Sequence, residues 1–261
     1  MREPLLFLLR VLRIATLIYI GLGVYLYFMQ RSFIYFPSPE IPTKLKTRVF
    51  NNEGEVIQTH VLNEGSGKAI LYFGGNAENV SLNAEGFTSL FKDYSVYLVN
   101  YRGYGGSSGS PSEHGLYSDA TSIYDEIVKM HDSVSLIGRS LGSAVATHIA
   151  SQRLVDKLVL ITPFDSIQNI AQEQFPIYPM ELMLKDKHDS HSRVKAIRAD
   201  TLVMVAQNDT VVEMHHTRRL IEGFDTPVLV QVVEGAGHNT ISNYQQYVDC
   251  LLYTSPSPRD A

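Results

Sequence analysis

The sequence predicts an α/β fold in which helices cover both faces of a mostly parallel, doubly wound sheet. Apolar runs of strand length recur at 69–73, 95–100, 133–138, 157–162, 201–206 and 227–233. They are nearly continuous rather than alternating, which is typical of parallel strands covered on both faces. Segments with helical spacing separate most of these runs, and this alternation builds a parallel sheet with right-handed crossovers. With 261 residues, of which 44% are hydrophobic, the chain can bury one large core.

The N-terminal segment, residues 1–36, predicts a membrane-spanning helix followed by a short stalk. Ile14–Met29 contains no charged residue, and Arg13 alone interrupts the longer run that starts at Val11. At about 1.5 Å per residue, this run nearly crosses a hydrocarbon core of about 30 Å. A cleaved signal peptide and a helix buried in the core are the alternative interpretations.

Charges on either side of the predicted span indicate its orientation. Arg2, Arg10 and Arg13 precede the span, whereas Arg31 follows it. Because positive residues favour the cytoplasmic side of a membrane, we expect a cytoplasmic N-terminus. The folded domain is then expected on the other side, which is the periplasm in a bacterium.

The C-terminal segment CLLYTSPSPRDA, residues 250–261, matches the translation of a transposase sequencing adapter. We therefore interpret it as a sequencing artefact rather than as a polar tail. The folded domain is expected to comprise residues 37–249, with its last helix cut short. This domain lacks cysteine because Cys250 belongs to the adapter segment, and such a domain fits any redox compartment.

Turn and strand patterns predict the first elements of the folded domain and its cap. Pro37, Pro39 and Pro42 exclude a helix after the N-terminal segment, and the alternating segments KTRVFN and VIQTHVLN predict a hairpin. Residues 167–198, which lie between two predicted strands, include the apolar stretch IAQEQFPIYPMELML. They suffice for a short apolar cap but not for a lid domain.

Two of the predicted helices have a clear apolar stripe. In the segment 113–130 the stripe consists of Leu116, Ala120, Ile123, Ile127 and Met130. The second helix is expected to begin after Asp209 or Thr210 as its N-cap. Its apolar residues are Val212, Leu220 and Ile221.

The stretch GRSLG, residues 138–142, has G-x-S-x-G spacing between a predicted strand and a predicted helix. In this context the serine lies on a sharp, strained turn with its hydroxyl above the sheet. Gly138 and Gly142 are favoured because a Cβ atom there would crowd the turn. The N–H groups of the first helical turn stabilise negative charge beside the serine. We predict that Ser140 is a nucleophile, and a Gly-rich turn without chemical function is the alternative.

A serine hydroxyl is a weak nucleophile and needs a general base. His238 follows the last predicted strand in the loop EGAGHN. This position lies beyond the carboxyl end of a strand, where open α/β sheets bind their ligands, and we predict His238 as the base. The other histidines lie in polar or helical stretches or in the first hairpin: His60, His114, His131, His148, His188, His191, His215 and His216.

The acid that orients the base is predicted to be Asp209, which lies just past the preceding strand in NDTVV. The chain order Ser140, Asp209, His238 is the order expected of a serine elbow in a sheet of this kind. Asp165, which follows the strand after the elbow, is the alternative acid.

An oxyanion hole needs two backbone donors, and the N–H of Leu141 is the first. The loop GGNAEN, residues 74–79, is expected to supply the second because Gly74 and Gly75 let the backbone approach closely. We assign this donor to Asn76, with Ala77 as the alternative. An ordinary turn without this function remains the competing interpretation.

Composition argues against several other classes of function. The net charge is −5 and no basic stripe interleaves with aromatic residues, so nucleic-acid binding is not expected. There is no C-x-x-C pair, H-E-x-x-H motif or EF-hand loop to indicate a metal site. The stretch YRGYGGSSG misses the G-x-G-x-x-G spacing, and we interpret it as a structural turn. The sequence does not indicate an oligomeric state.

Together these motifs resemble the α/β-hydrolase superfamily. More narrowly, the chain is similar to small membrane-anchored serine hydrolases, which include relatives of acyl-protein depalmitoylases and bacterial peptidase-like hydrolases. The similarity extends from about Arg31 to Asp249, and Gly74 departs from it because the family commonly has a histidine there. The motifs are FIYFP, GGNAEN, NYRGYGGSSGSPSEHGLYSDA, GRSLGSAVA, ITPFDS, NDTVV and GAGHN.

The resemblance implies hydrolysis of an ester, a thioester or an amide through an acyl-enzyme, with no cofactor or metal. Ser140 would attack the carbonyl, His238 would take its proton, and the N–H groups of Leu141 and Asn76 would bind the oxyanion. A membrane-proximal pocket under a cap rich in Phe, Tyr and Met suits a small-molecule or acylated substrate with an acyl chain. The alternatives are a serine peptidase or aminopeptidase and a non-catalytic, membrane-tethered binding module. Epoxide hydrolases and dehalogenases of this fold are not expected, because they have an aspartate at the elbow.

Overall fold

The computed structural model describes residues 2–252, within which eight strands form one sheet. The strands are β1 (Lys46–Asn52), β2 (Glu55–Leu62), β3 (Lys68–Phe73), β4 (Ser95–Val99), β5 (Ser133–Arg139), β6 (Lys157–Ile161), β7 (Asp200–Ala206) and β8 (Val228–Val233). Their order across the sheet is β1-β2-β4-β3-β5-β6-β7-β8. β1 and β2 form the predicted antiparallel hairpin, and β2 also pairs antiparallel with β4. The remaining neighbours, β4-β3-β5-β6-β7-β8, all pair in parallel, which confirms the prediction of a mostly parallel sheet.

Helices cover both faces of the sheet, as the sequence predicts. They are α1 (Arg2–Ile34), α2 (Ala84–Leu90), α3 (Glu113–Ile127), α4 (Leu141–Ala150), α5 (Ile167–Gln174), α6 (Met180–Met183), α7 (His191–Val194), α8 (Met214–Glu222) and α9 (Gln245–Leu251). Residues of α3, α4, α7 and α8 pack in one core layer, and residues of α2 and α9 pack in the other. The predicted architecture, a mostly parallel sheet with helices on both faces, is therefore confirmed, and α5 and α6 form the short cap.

The N-terminal helix α1 has 33 residues and is about 50 Å long. It is longer than the uncharged run in the sequence, and by length and composition it is able to cross a membrane. The apolar side chains from Leu5 to Ile18 are exposed. α1 ends at Ile34, and residues 35–44 form neither helix nor strand, in agreement with the prolines there.

The last strand is less covered than its continuous apolar sequence indicates. Leu229, Val230 and Val232 of β8 are 45%, 40% and 39% exposed. β8 is the edge strand of the sheet, and it pairs with β7 on one side. Val233, at its end, is buried in the same core layer as α9. The expectation of a strand covered on both faces is thus wrong for β8.

Two details of the predicted helices are also wrong. α3 ends at Ile127, so Met130 lies beyond the helix and is exposed. α8 begins at Met214 with Glu213 at its N-cap position, so that neither Asp209 nor Thr210 caps it. Val212 precedes the helix instead of lying within it, because the carboxylate of Asp209 closes a separate turn before it.

The C-terminal helix α9 includes Cys250 and Leu251, so it continues past the predicted domain end at residue 249. Leu251 is buried. The rest of the predicted adapter segment, from residue 253, lies outside the described residues. The domain boundaries therefore stay predictions.

Candidate active site

Ser140 lies at the sharp turn between β5 and α4. Its backbone has φ 48° and ψ −114°, an uncommon conformation for a residue with a side chain. The N–H of Ser140 donates to the carbonyl of Ile161 at 2.8 Å, and the N–H of Ser143 donates to the carbonyl of Ser140 at 2.9 Å. β6 and the first turn of α4 therefore hold the strained residue in place.

The two elbow glycines are required by close backbone contacts. A Cβ atom at Gly142 would collide with the carbonyl of Phe73 at the end of β3. A Cβ atom at Gly138 would collide with the carbonyl of Gly142. Since both obstacles are backbone atoms, no side-chain rotation relieves them. The close approach of β3, β5 and α4 therefore requires glycine at both positions.

Alanine at Gly142 is expected to lower the free energy of unfolding by about 3 kcal/mol, because the added methyl overpacks a rigid backbone site. Thermal or urea unfolding measures this loss. The matched control is Gly86→Ala in α2, where a Cβ atom meets nothing within 4 Å. That substitution is expected to stabilise the helix by up to about 1 kcal/mol. Equal effects of the two variants would contradict the packing argument.

Three of the residues selected from the sequence form one hydrogen-bonded chain. Ser140 Oγ lies 3.0 Å from His238 Nε2, and His238 Nδ1 lies 2.7 Å from Asp209 Oδ2. In the neutral imidazole, Nδ1–H donates to Asp209 and the Ser140 hydroxyl donates to Nε2. The side chains of His238 and Asp209 are only 8% and 5% exposed, so water competes little for these bonds. The loops after β5, β7 and β8 supply one residue each.

Asp209 uses its two carboxylate oxygens for different purposes. Oδ1 accepts the N–H groups of Val211 and Val212 at 2.9 and 2.8 Å. Oδ2 faces His238. The turn therefore fixes the orientation of the carboxylate toward the imidazole.

The alternative acid, Asp165, lies in a different network. It is fully buried, and it accepts hydrogen bonds from His216 Nδ1 at 2.8 Å and from Arg219 Nη1 at 2.7 Å. Burial by itself would raise the pKa of Asp165, but bonds from Asn169, Arg219 and its neighbour's N–H bring this pKa below its usual value. Asp165 is thus an ionised anchor between the cap and α8, whereas the carboxylate that lies beside His238 is that of Asp209.

The predicted oxyanion loop lies next to the elbow. A Cβ atom at Gly75 would be 3.8 Å from Ser140 Cβ, and Asn76 and Ala77 line the same cavity as Ser140 and Leu141. Ala77 has φ 61°, so this loop is also strained. The choice of Asn76 over Ala77 as the second donor stays a prediction.

The side chain of Asn76 points to the end of α1, which the sequence did not indicate. Its Oδ1 accepts the N–H of Phe36 and the hydroxyl of Tyr104, each at 2.9 Å. Its Nδ2 donates to the carbonyl of Ile34 at 2.7 Å. The oxyanion loop and the end of the N-terminal helix are therefore fastened to each other.

Two charged residues that sequence reasoning missed connect the loops of the site. Glu78 Oε2 accepts the N–H of Gly75 at 2.6 Å and lies 3.5 Å from Arg139 Nη1. Arg139 Nη2 in turn donates to the carbonyl of His238 at 3.4 Å. Burial opposes the charge of Arg139, but Glu78 keeps its pKa above the usual value. Neither residue belongs to a spacing with chemical meaning, so only the folded chain shows that they meet.

A cavity of about 590 Å³ opens above Ser140 and His238. Apolar side chains from four regions form most of its wall: the cap, the loops after β6 and β7, and α1. The wall residues include Leu26, Phe33, Ile34, Phe164, Ile167, Ile170, Phe175, Met180, Met183, Leu184, Val211 and Val212. A mainly apolar cavity with a few convergent polar groups is typical of a small-molecule site.

His188 fastens the cap to the rest of the domain. It is fully buried, and its two ring nitrogens lie 2.8 Å from the Tyr35 hydroxyl and 3.0 Å from the Tyr117 hydroxyl. Burial lowers the pKa of His188 from 6.5 to about 4, because the buried site disfavours the charged imidazole.

Stability is therefore expected to fall as the pH drops from 6.5 toward 4, where the unfolded chain takes up a proton that the folded state rejects. The loss attributable to His188 is on the order of 3 kcal/mol. Unfolding of wild type and His188→Asn at pH 7.5 and 4.5 measures it. Asparagine tolerates the φ of 45° at this position. If both proteins lost the same free energy on acidification, the assignment to His188 would be wrong.

Among the described residues, Glu173, His215 and His216 form a group that could hold a metal ion, since their ligand atoms lie within 4.8 Å of one another. His216 also bonds to Asp165, and none of the three lines the cavity above Ser140. The group lies where α5 meets α8. A reaction without metal or cofactor at Ser140 stays a prediction.

Comparisons with known proteins agree with this architecture. A family model described as alpha/beta hydrolase fold matches residues 68–186. The uncharacterized protein Rv2307c of Mycobacterium tuberculosis is 32% identical over 247 residues, which cover 88% of this chain and 88% of that protein. The alpha/beta hydrolase domain-containing protein aho-3 of Caenorhabditis elegans is 31% identical over 161 residues, 60% of this chain and 47% of that protein.

A solved structure shows the same fold at low sequence identity. The esterase Pf2001 of Pyrococcus furiosus superposes with a TM-score of 0.65 and 16% identity, covering 83% of this chain and 95% of that one. The sheet order, the elbow and these similarities together establish that this chain belongs to the alpha/beta hydrolase family.

Proposed function

We propose that this hydrolase cleaves carboxylic esters or thioesters of acyl chains through a covalent acyl-enzyme. The observation that supports this most directly is the hydrogen-bonded chain from Ser140 through His238 to Asp209. It lies at the floor of a mainly apolar cavity. Nucleophile, base and orienting acid stand at hydrogen-bond distances from each other, which is the arrangement that activates a serine hydroxyl.

In the first half of the proposed reaction, Ser140 Oγ bonds to the carbonyl carbon and its proton moves to His238 Nε2. The carbonyl oxygen becomes an oxyanion, and in this proposal it accepts hydrogen bonds from the N–H groups of Leu141, at the start of α4, and of Asn76, in the loop after β3. The imidazolium, stabilised by Asp209, then gives its proton to the leaving oxygen or sulfur. The bond to the leaving group breaks, and the acyl group remains on Ser140.

In the second half, water attacks the acyl-enzyme and His238 Nε2 takes the proton of that water. A second oxyanion forms in the same place. The bond between the acyl carbon and Ser140 Oγ then breaks, and His238 returns the proton to Ser140. The carboxylic acid leaves, and the enzyme regains its starting state.

The preference for an acyl chain is supported by the wall of the cavity. Aliphatic, aromatic and Met side chains dominate it, whereas Gln30, Gln174, Glu78 and Arg139 are its longer polar members. Glu78 and Arg139 already engage each other. The Pyrococcus furiosus protein Pf2001, which has this fold, is an esterase, in keeping with ester chemistry.

A series of p-nitrophenyl esters from acetate to palmitate, assayed with the full chain in detergent, tests this proposal. Each buried methylene contributes up to about 0.8 kcal/mol, so kcat/KM is expected to rise by up to about fourfold per methylene until the cavity is full. Equal values from acetate to palmitate would contradict an acyl preference. Cleavage of peptide anilides in place of the esters would favour a peptidase, and no turnover with any substrate would favour a binding module.

We also propose that α1 anchors the enzyme in a membrane with its N-terminus in the cytoplasm. The helix has the required length and apolarity, and Arg2, Arg10 and Arg13 lie at its N-terminal side. Protease added to intact spheroplasts is then expected to degrade the domain after α1. Protection of the domain until the cells are lysed would reverse the orientation.

A further inference from the structure

We propose that α1 is part of the substrate site as well as an anchor. With the cap it forms an apolar channel that binds the chain of a long-chain acyl ester or thioester resident in the bilayer, with the carbonyl at Ser140. This inference rests on the function proposed for Ser140, and it specifies where the acyl chain lies and from which phase it enters.

The first observation is that α1 forms one wall of the cavity above Ser140. Its C-terminal half contributes Leu26, Tyr27, Gln30, Phe33 and Ile34 to the lining. Next to it, Met183 and Leu184 at the end of α6 also line the cavity, and Gln30 Nε2 of α1 donates to the carbonyl of Met183 at 3.2 Å. A helix that served only to tether the domain would not need to complete the cavity of the candidate nucleophile.

The second observation is a groove of about 370 Å³ between α1 and the cap, on the side toward the N-terminus of α1. It adjoins the cavity, because Tyr27 and Met183 line both spaces. From Tyr27 the groove extends to Tyr19, about 12 Å further along the helix axis. Its lining has no charged residue and consists of Tyr19, Ile20, Gly23, Val24, Tyr27, Phe28, Tyr178, Pro179 and Met183.

The cap is fixed along α1, so the groove has two defined sides. The rings of Tyr19 and Tyr178 stack with centroids 4.6 Å apart and planes 7° from parallel. The Tyr178 hydroxyl donates to the carbonyl of Tyr19, and the Tyr19 hydroxyl donates to the carbonyl of Ile177, each at 2.9 Å. A Cβ atom at Gly23 would lie 3.1 Å from the Tyr178 ring, so the glycine permits this close approach.

Polar contacts between α1 and residues 185–186 lie where the groove ends. Arg31 pairs with Asp186 at 2.8 Å, and Lys185 Nζ lies 4.6 Å from the centre of the Tyr27 ring. The backbone N–H of Lys185 also donates to Gln30 at 2.7 Å. These groups suit the headgroup level of a bilayer, where charged and aromatic residues collect.

From these polar contacts toward the N-terminus of α1, the protein surface is suited to hydrocarbon. Tyr19 lies about 18 Å from Arg31 along the axis of α1, and the helix between them has no charged residue. On the cap, Ile177 and Leu182 are 67% and 81% exposed. Glu181 is also exposed there, but it lines neither the groove nor the cavity. With α1 in a bilayer, the tip of the cap dips into the acyl region.

The positions of the cavity and the groove match those of the ester group and the acyl chain of a lipid-like substrate in a bilayer. The ester or thioester group of such a molecule lies near the headgroups, at the level of Gln30 and Ile34, which border the cavity of Ser140. Its chain extends toward the bilayer centre, in the direction of Tyr19. The chain moves from hydrocarbon into an apolar groove, so entry exposes little apolar surface to water.

Paired tryptophan substitutions test the channel in the full chain reconstituted in phosphatidylcholine liposomes. Leu26→Trp and Met183→Trp fill the channel, whereas Leu22→Trp and Leu182→Trp place the same side chain on the same helices at positions that line neither space. The substrates are 4-methylumbelliferyl palmitate in the liposomes and soluble 4-methylumbelliferyl butyrate. We expect the palmitate-to-butyrate ratio of kcat/KM to fall at least about tenfold in the first pair, since an indole overfills the space. The ratio should stay within twofold in the control pair.

The outcomes separate the channel from the chemistry. If Leu26→Trp and Met183→Trp leave the ratio at its wild-type value, or if the control pair lowers it equally, the proposal of the channel is wrong. Butyrate hydrolysis that depends on Ser140, without palmitate hydrolysis in liposomes, also overturns the channel but preserves the proposed function. If wild type hydrolyses neither ester, the proposed function fails.

A second measurement avoids the risk that a bulky variant misfolds. A long-chain alkyl fluorophosphonate with a diazirine at the chain end is attached to wild-type Ser140 and photolysed. Mass spectrometry is expected to find the cross-link on α1 between residues 19 and 28, or on residues 178–183. Cross-links confined to residues 167–171 and 211–212 would show that the chain lies on the opposite side of the cavity and would overturn the channel.

Discussion

Replacing Ser140 with alanine is expected to lower kcat/KM for ester hydrolysis by on the order of 10³- to 10⁶-fold. In the proposed mechanism the hydroxyl oxygen of Ser140 bonds to the carbonyl carbon, and His238 Nε2, which lies 3.0 Å from this oxygen, takes its proton. Stability should be nearly unchanged, because the elbow is held by backbone hydrogen bonds rather than by Oγ. The rate with p-nitrophenyl butyrate and the melting temperature together measure both effects.

Ser151→Ala is the matched control for this prediction. Ser151 lies at the other end of α4, where its hydroxyl donates to the carbonyl of His148. Ser151 does not line the cavity, so the kcat/KM of the Ser151→Ala variant should stay within about twofold of wild type. If Ser140→Ala retained a tenth or more of the activity, Ser140 would not be the nucleophile.

Replacing Asp209 with asparagine is expected to lower kcat by on the order of 10²- to 10⁴-fold. An amide nitrogen facing Nδ1 favours the wrong imidazole tautomer and no longer stabilises the imidazolium. The fold should persist, since the side-chain oxygen of asparagine can still accept the N–H groups of Val211 and Val212. Steady-state kinetics over a range of pH, together with unfolding curves, measure the two effects separately.

Asp165→Asn is the control, because it changes the alternative acid by the same single atom. Asp165 bonds to His216 and Arg219 and not to His238. The variant is therefore expected to lose on the order of 3 kcal/mol of stability, as a broken buried ion pair does, while kcat stays within a few-fold at a temperature where it is folded. The opposite pattern, with kcat lost in Asp165→Asn and kept in Asp209→Asn, would exchange the two roles.

Much of the sheet and of the elbow could be predicted, because both depend on patterns that are local in sequence. The apolar runs of β3 to β7 are short, nearly continuous and separated by helices, and the structure contains them at nearly the predicted positions. GRSLG has a structural meaning only between a strand and a helix, and both neighbours can be recognised from the sequence. Chain order then reduces the choice of histidine and aspartate to a few candidates.

The features that could not be predicted depend on contacts between distant segments. An apolar run such as that of α1 has the same sequence whether a side chain faces lipid or the substrate cavity. The stack of Tyr19 on Tyr178 joins residues that are 159 positions apart. Glu78 and Arg139 likewise meet only when β3 and β5 lie side by side. The prediction that Asp209 or Thr210 caps α8 is wrong for a related reason. The carboxylate of Asp209 bonds to the N–H groups of its own turn and to His238 instead.

Mapping a fluorophosphonate adduct tests directly whether Ser140 is the nucleophile that His238 activates. The full chain in detergent is treated with the probe, digested and sequenced by mass spectrometry. We expect a stoichiometric adduct on Ser140 in wild type, none in Ser140→Ala and strongly slowed labelling in His238→Ala. An adduct on another serine, or equal labelling of wild type and Ser140→Ala, would show that Ser140 is not the nucleophile.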